Sequence, residues 1–189
     1  GALSLPFNEC DFTDYRPAVQ SAWYLARRER LFGVGAWDED LAWLFGDEST
    51  RGKQTVTEPP ASNAFDVSGY YTLRSEASWG MIRCHTYRDR QHHCDGLHLD
   101  LWWRGMNVLS DSGSYQYYVP ESKPLEHYFK STAAHNNVEI DGVDPLTPVS
   151  RFLLLPWTRA HERHFEAGEQ MQYFEGEMHD YERRPWRTL

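Results

Sequence analysis

The sequence predicts a mainly β protein: an antiparallel β-sandwich preceded by short helices that look like the end of a larger helical domain. Near the start, apolar residues recur at spacings of three and four, as they do on one face of a helix. Further along, short aromatic and β-branched runs alternate with turn residues. A polar stretch containing Pro59 and Pro60 separates the two patterns. We therefore assign residues 1–52 to the helical end and residues 53–189 to an incomplete sandwich.

Two helices are predicted before the polar stretch. The first extends from Asp14, a possible N-cap, to Phe32, just before Gly33. Its apolar face comprises Ala18, Val19, Ala22, Trp23, Leu25 and Ala26. A shorter helix is predicted over Asp38–Phe45. Two short helices cannot enclose a core of their own, so we expect the larger part of their domain upstream of this sequence.

Short runs of β-forming residues predict the strands that follow. They are Gly69–Arg74, Trp79–Tyr87, Leu97–Trp103, Asn107–Ser110, Asn137–Asp141, Ser150–Leu155, His161–Ala167 and Gln170–Glu177. Turn residues separate them, as at Arg104-Gly105 and at Asp111-Ser112-Gly113. Many short strands at this spacing favour an antiparallel sandwich over a parallel sheet.

The composition excludes some classes of partner. With 19 Lys+Arg against 28 Asp+Glu, the formal net charge of −9 argues against nonspecific nucleic-acid binding. No apolar run approaches the roughly 20 residues of a membrane span. The three cysteines form neither a CxxC pair nor a disulfide framework. Aromatic residues make up 15% of the chain, a content that suits strands and also sugar-stacking surfaces.

The densest polar cluster of the sequence extends from Arg88 to Asp100. If residues 97–103 form a strand, alternation places His98, Asp100 and Trp102 on one face and the leucines on the other. Two histidines and one aspartate from three separate segments would suit Zn²⁺. The same residue types also satisfy buried polar groups, so spacing alone leaves a metal site and a structural role open.

Four segments, taken in order, resemble the heparinase II/III family of polysaccharide lyases. They are Gly69–Arg74, His93–Gly105, Asp111–Tyr117 and Tyr128–Gly142. The resemblance implies an N-terminal (α/α) toroid followed by an antiparallel β-sandwich, so the early helices would be the end of that toroid. It also implies a periplasmic or secreted protein, although the first residues show no export signal.

The resemblance further implies roles for individual residues. A zinc ion, serving structurally, would be held by His93, Asp111 and His135. Gln91 stands where the family often has a histidine close to the substrate carboxylate, and His92 lies beside it. The principal catalytic residues of the family belong to the toroid.

Two residues remain as catalytic candidates within this chain, His92 and Tyr128. The substrate-binding candidates are Gln91, Arg90 and Arg104. The two arginines could belong to a basic surface for an acidic glycan or could be ordinary solvated charges.

The function implied by the resemblance is that of a polysaccharide lyase which cleaves a uronate-containing acidic polysaccharide, such as a glycosaminoglycan or alginate, by β-elimination. Its partners would be that polysaccharide and the upstream helical toroid. A non-catalytic carbohydrate-binding or structural module is the main alternative. A glycoside hydrolase is a third, because the spacing of Asp95, Asp100 and Asp111 neither supports nor excludes a catalytic carboxylate pair.

Overall fold

The computed structural model describes residues 9–11, 13–56, 60–115 and 122–179. The chain divides into two compact units, Gly1–Pro59 and Pro60–Leu189. Of the residues named above, Pro59 and Tyr117 lie outside the described ranges. The boundary that we placed after residue 52 stays a prediction.

The first unit is helical. It contains α1 (Arg16–Arg27) and α2 (Glu39–Phe45), with 3₁₀ turns at Ala36–Asp38 and Asp47–Arg51. Helix α1 ends before the predicted Phe32, and Arg28 adopts the left-handed conformation with φ 57°. The cause is a long-range contact: the side-chain oxygen of Gln20 accepts hydrogen bonds from the backbone N–H groups of Leu31 and Phe32, both at 2.9 Å.

The interior of this unit is largely polar. Gln20 is completely buried and donates to one carboxylate oxygen of Asp38 at 2.6 Å. The buried Arg30 donates to the other carboxylate oxygen at 3.1 Å. This network of Gln20, Arg30 and Asp38 connects helix α1 to the chain that follows it. Leu41, three residues after Asp38, is also completely buried.

The second unit is mainly antiparallel β structure, as predicted. A five-stranded sheet has the order β1 (Asn63–Phe65), β2 (Tyr70–Arg74), β3 (Ser78–Arg83), β4 (His98–Trp103) and β5 (Met106–Leu109). Two hairpins follow, formed by β6 (Thr147–Ser150) with β7 (Leu153–Leu155) and by β8 (Arg159–Ala167) with β9 (Gln172–His179). All pairings of these strands are antiparallel.

The core lies between the five-stranded sheet and the β8–β9 hairpin. Tyr71 and Ile82 from the sheet are buried together with Ala160 from β8. The ring of Tyr71 packs 4.9 Å from that of Phe174 and 5.8 Å from that of Phe165, measured between centroids. This arrangement gives the two layers of a sandwich, and it leaves the other face of the five-stranded sheet, which we call the outer face, for different contacts.

Other local predictions also differ from the structure. The segment 137–141 is not a strand but contains an isolated bridge between Ile140 and Val143. The run 150–155 is part of the β6–β7 hairpin rather than one strand. A short helix that the sequence analysis did not predict, α3 (Lys123–Tyr128), lies in the β region, with proline in its first turn. None of the helices among the described residues is long and apolar enough to cross a membrane.

Candidate functional site: a histidine cluster

Four side chains from distant segments meet at one place in the second unit. Nδ1 of His93 lies 3.2 Å from Nε2 of His135. On the other side of the same ring, Nδ1 of His135 lies 2.7 Å from a carboxylate oxygen of Asp111. That oxygen is 3.6 Å from Nε2 of His98. We call these four residues the histidine cluster.

The two asparagines after His135 hold the cluster together. The backbone N–H of Asn136 donates to Nδ1 of His98 at 3.1 Å, and its side chain donates to the carbonyl of Ser110 at 3.0 Å. The side chain of Asn137 donates to the carbonyl of Cys94 at 2.8 Å. The His-Asn-Asn segment thereby joins the segments that carry the other three members of the cluster.

The electrostatics favour neutral imidazoles beside a charged carboxylate. Burial lowers the pKa of His93 to about 4, although the nearby Asp95 opposes the shift. The pKa of His98 is also lowered, chiefly by burial. Burial would raise the pKa of Asp111, but hydrogen bonds from Gly113 and His135 outweigh it and the net shift is downward. At neutral pH the site therefore offers imidazole lone pairs and a carboxylate, the donors that zinc prefers.

The spacing of the donor atoms fits zinc for part of the cluster only, because His93 and Asp111 contact opposite nitrogens of the His135 ring. Two nitrogens that bind one tetrahedral zinc ion at about 2.0–2.1 Å lie roughly 3.3 Å apart, close to the 3.2 Å between His93 and His135. The donor atoms of His98, Asp111 and His135 also lie within 4.8 Å of one another. However, Nδ1 of His98 accepts the hydrogen bond from Asn136, so its proton is on Nε2 and faces Asp111. In this tautomer Nε2 of His98 offers no lone pair to a metal ion, and at 3.6 Å it lies beside Asp111 without a hydrogen bond.

The comparisons with known proteins agree with this arrangement of motifs. Residues 57–185 match the sequence model of the family described as Heparinase II/III-like, C-terminal. The chain belongs to this family. A comparison with curated proteins finds no match.

Solved structures of larger proteins share the fold. One is the heparan sulfate lyase HepC, in a mutant form, from Pedobacter heparinus: 19% identity over 87% of this chain and 23% of that chain, with a TM-score of 0.58. Another is a heparinase III gene product with methylated lysines: 19% identity over 73% of this chain and 22% of that chain, with a TM-score of 0.54. The chain spans less than a quarter of the length of either structure.

In this heparinase II/III-like chain, the structure brings the three predicted zinc ligands into one cluster. His93 and Asp111 contact opposite nitrogens of the same His135 ring. Whether the three residues bind zinc stays a prediction. His98 also belongs to the histidine cluster. The sequence analysis placed it on the face of β4 opposite the leucines and did not predict it as a zinc ligand.

The two catalytic candidates differ in their distance from the cluster. His92 is exposed, and its ring meets that of His93 edge-on at 5.0 Å between centroids. Tyr128 ends helix α3, with its ring 46% exposed and packed against Phe129 at 5.3 Å. Both roles stay predictions, and His92 is the candidate that adjoins the cluster.

Gln91 requires a correction. It is completely buried, its side-chain nitrogen donates to the hydroxyl of Thr158 and to the carbonyl of His93, and its oxygen accepts from the N–H of Thr158 at 2.8 Å. Every polar atom of the side chain is engaged, so Gln91 cannot bind substrate in this structure. Its effect is to anchor the backbone of His93.

The two arginine candidates do not share one site. Arg90 is exposed in the loop that carries His92. Arg104 lies in the turn after β4, with its guanidinium 4.7 Å from the ring centroid of Trp103. Six residues along an extended strand correspond to roughly 20 Å, so Arg104 is remote from His98 and from the cluster. The role of Arg104 in substrate binding stays a prediction.

A second polar network, which sequence reasoning missed, supports the β3–β4 loop. Arg83 donates to the carboxylate of Asp95 and to the hydroxyl of Tyr87, and that hydroxyl donates to Asp95 at 3.2 Å. Burial, reinforced by the charge of Asp95, raises the pKa of Tyr87, so the phenol stays protonated. The one sign of this network in the sequence was an aspartate, Asp95, two residues after the predicted zinc ligand His93.

A cleft in the second unit lies away from the histidine cluster. This cleft of about 520 Å³ opens beside the core and is lined by residues that include Asp66, Tyr71, His85 and Glu162. None of the predicted site residues lines it. The histidine cluster is therefore distinguished by its chemistry and not by the depth of a pocket.

Proposed function

We propose that this chain is the β-sandwich part of a polysaccharide lyase that cleaves uronate-containing acidic polysaccharide by β-elimination. Family membership supports a polysaccharide lyase part. The observation that carries the proposal is the histidine cluster, because three segments that resemble the family's motifs converge on it.

The chemistry of β-elimination explains what such a site must supply. A base removes the proton at C5 of the uronate, a C4–C5 double bond forms, and the C4–O bond breaks. The leaving oxygen receives a proton. Negative charge develops next to the carboxylate, which must therefore be neutralised by nearby donors. His92, exposed beside the cluster, is our candidate for contact with that carboxylate, and Tyr128 is the weaker candidate for proton transfer.

Zinc in this site would serve structurally. His93 and His135 would hold it through the nitrogens that face each other, and the bound ion would cross-link distant segments of the sandwich. Asp111, the third predicted ligand, contacts the other nitrogen of His135, so its side chain would have to turn towards the ion. Asn136 and Asn137 already join the same segments by hydrogen bonds. The metal would add rigidity to the surface that presents His92.

The proposed partners are an acidic polysaccharide and an upstream helical toroid. The helical unit exposes several large apolar side chains that a toroid would cover: Val19, Leu25, Trp43 and Leu44. Because the chain shares its fold with the heparan sulfate lyase HepC, heparan sulfate is the first substrate to test, with alginate as a non-sulfated uronate polymer.

The decisive assay uses the longer gene product that contains this chain. Incubation with heparan sulfate or alginate should increase the ultraviolet absorbance of the unsaturated uronate that β-elimination creates. The chain alone should produce little, because orientation of the reacting groups contributes about 7–11 kcal/mol and half a cleft cannot supply it. The variant His92→Ala tests the catalytic candidate in the same assay. His164→Ala, a change of an exposed histidine in β8, serves as its control. Absence of the product from all uronate polymers would overturn the proposal.

A non-catalytic glycan-binding module is the second candidate. The burial of Gln91 favours it, since the position where the family often has a histidine here carries a side chain that cannot reach substrate. Glycan binding by the longer gene product without any release of unsaturated uronate would support this alternative.

A further inference from the structure

The β8–β9 hairpin carries a second group of metal-binding residue types, which shares no residue with the histidine cluster. Glu177 and His179 are two positions apart in β9, so their side chains lie on the same face of the strand. His161 in β8 is the residue directly opposite Glu177 in the strand register. We call His161, Glu177 and His179 the hairpin triad.

The hairpin triad lies on the solvent face of the hairpin. Ala160 and Met178 form the neighbouring pair of the register, and Ala160 belongs to the buried core. Because side chains alternate along a strand, the triad lies on the face opposite this pair. His161 and His179 are exposed, so both rings are open to an ion from solution.

The two imidazole rings of the triad are spaced like a pair in the histidine cluster. The ring centroids of His161 and His179 lie 5.5 Å apart, and the ring planes differ by 55°. In the histidine cluster, the rings of His93 and His135 lie 5.3 Å apart with an angle of 52°. Two imidazoles that bind one tetrahedral zinc ion at about 2.0–2.1 Å have ring centroids roughly 5 Å apart, so one ion fits between the rings of either pair.

The carboxylate of Glu177 completes the donor set. One of its oxygens lies 2.8 Å from Nε2 of His179, and the other lies 3.1 Å from Nε of Arg163. The donor atoms of the triad converge less tightly than the 4.8 Å of His98, Asp111 and His135, so the exposed ring of His161 would have to turn towards the ion. Two imidazoles and one carboxylate are ligands that suit a divalent transition-metal ion such as Zn²⁺.

We propose that the hairpin triad is a second metal site, which takes a divalent transition-metal ion of the zinc type and cross-links β8 to β9. Two arginines lie on the same face, Arg163 beside Glu177 and Arg159 opposite His179, and their charges oppose a bound cation. Because of these charges and its exposed ligands, the site is weaker than the histidine cluster and fills only at higher zinc concentrations. The inference does not depend on the proposed function.

The same hairpin offers a matched control for the test. His164 is also exposed and also lies near a carboxylate, with its Nε2 3.6 Å from Glu166. The ring beside it is that of Tyr173, at 5.5 Å between centroids, instead of a second imidazole. His164→Ala therefore removes an exposed histidine beside a carboxylate and leaves the triad intact. Thermal unfolding of each variant without metal checks that it is folded.

The measurement is titration calorimetry of the longer gene product with zinc chloride, after removal of metal by a chelator and dialysis. All variants carry His135→Ala, which removes the central ring of the histidine cluster. His161→Ala and His179→Ala should each weaken the remaining zinc binding about tenfold or more, because losing a ligand costs at least as much as losing a group that only orients one. His164→Ala should leave it unchanged.

A further variant tests the carboxylate by a gain of affinity. Arg163→Gln removes a positive charge and the ion pair that competes for Glu177. We expect it to strengthen zinc binding about threefold, a small gain because the arginine is exposed. Damage to the fold would not strengthen binding, so this result would report on the site itself. Unchanged or weaker binding by Arg163→Gln would contradict the role of Glu177 as a ligand.

The outcomes separate this inference from the proposed function. Equal zinc binding by His161→Ala, His179→Ala and His164→Ala, or no zinc binding once His135 is replaced, overturns the hairpin site and has no bearing on uronate release. A loss in His179→Ala but not in His161→Ala also overturns it, because the cross-strand histidine then takes no part. A selective loss in both variants supports the site, whether or not the protein releases unsaturated uronate.

Discussion

Each of the two units of the chain contains a polar cluster. The two clusters differ in whether imidazole lone pairs remain available to a metal ion. In the helical unit, the charge of Arg30 is balanced by Asp38, and both oxygens of Asp38 accept hydrogen bonds from buried groups. The side-chain oxygen of Gln20 accepts two more. All of these contacts hold the chain together after helix α1.

The histidine cluster of the β unit is arranged differently. Burial keeps His93 neutral at physiological pH by lowering its pKa, and its Nδ1 faces another imidazole nitrogen instead of a cation. Imidazole nitrogens that face each other have only one proton to share between them and so retain lone-pair capacity for a metal ion. The comparison teaches that density of polar residues does not by itself distinguish the two clusters; the availability of imidazole lone pairs does.

The largest effect should come from breaking the network of the helical unit. Asp38→Ala leaves Arg30, only 5% exposed, without its partner, and we expect it to destabilise this unit by about 3–5 kcal/mol. Urea unfolding measures the change, with the exposed Glu48→Ala as a control. A loss below about 1 kcal/mol would show that the charge of Arg30 finds another partner. Zinc content should not change.

The next effect concerns the metal. His135→Ala should abolish zinc retention and the stabilisation by added zinc, which for a one-site ligand at 100 times its Kd amounts to about 2.7 kcal/mol. Metal analysis and thermal unfolding with and without zinc provide the measurement, and His164→Ala is the matched control. Equal zinc in the His135→Ala and unmodified proteins, or none in the unmodified protein, would mean that the cluster is polar packing.

A smaller loss is expected at His98, because we place it beside Asp111 and not on the metal. Outer-sphere changes typically cost about 10–100-fold in metal affinity, so His98→Ala should weaken zinc binding without abolishing it. His98→Gln, which keeps a polar side chain beside Asp111, should retain more affinity than the alanine variant. If His98→Ala loses zinc as completely as His135→Ala, His98 is itself a ligand.

The pH dependence of the metal-free protein should show the neutral state of His93. Its pKa of about 4 in the folded protein lies below the ordinary value of 6.5. The unfolded chain therefore binds a proton at this position at higher pH than the folded chain does, and stability is lost as pH falls from about 6.5 to about 4. Urea unfolding in the presence of a chelator should show this loss, and His93→Gln should flatten the curve. An unchanged slope in that variant would contradict the assignment.

The smallest effect concerns the cysteines. Burial raises the pKa of Cys84 to about 11 and that of Cys94 to about 12, so little thiolate is present at neutral pH. Mass spectrometry after brief alkylation of the native protein should find both unmodified, whereas unfolding should expose them. Rapid labelling of Cys94 in the folded protein would show that the β3–β4 loop opens, since the backbone of Cys94 is bound by Asn137.

Local periodicity accounts for the part of the fold that the sequence predicts. A strand repeats every two residues, so the outer-face position of His98 and Trp102 follows from the sequence once β4 is recognised. The helical repeat of about 3.6 residues predicts helix α1 but not its buried face, since Gln20 and Ser21 are buried whereas Val19 and Leu25 are exposed. The end of α1 does not follow from the repeat either, because it depends on Gln20 reaching Leu31 and Phe32.

The sequence by itself determined the β class of the second unit, the motifs of the family, and the segments from which the histidine cluster is drawn. Only the tertiary structure decided that Gln91 is buried, that Arg104 lies far from the histidines, that His98 contacts Asp111, and that Trp79 stacks on Trp102. The physical reason is that alternation and turn chemistry act between neighbours in the chain, whereas burial, strand register and the choice of hydrogen-bond partner depend on residues that are distant in sequence.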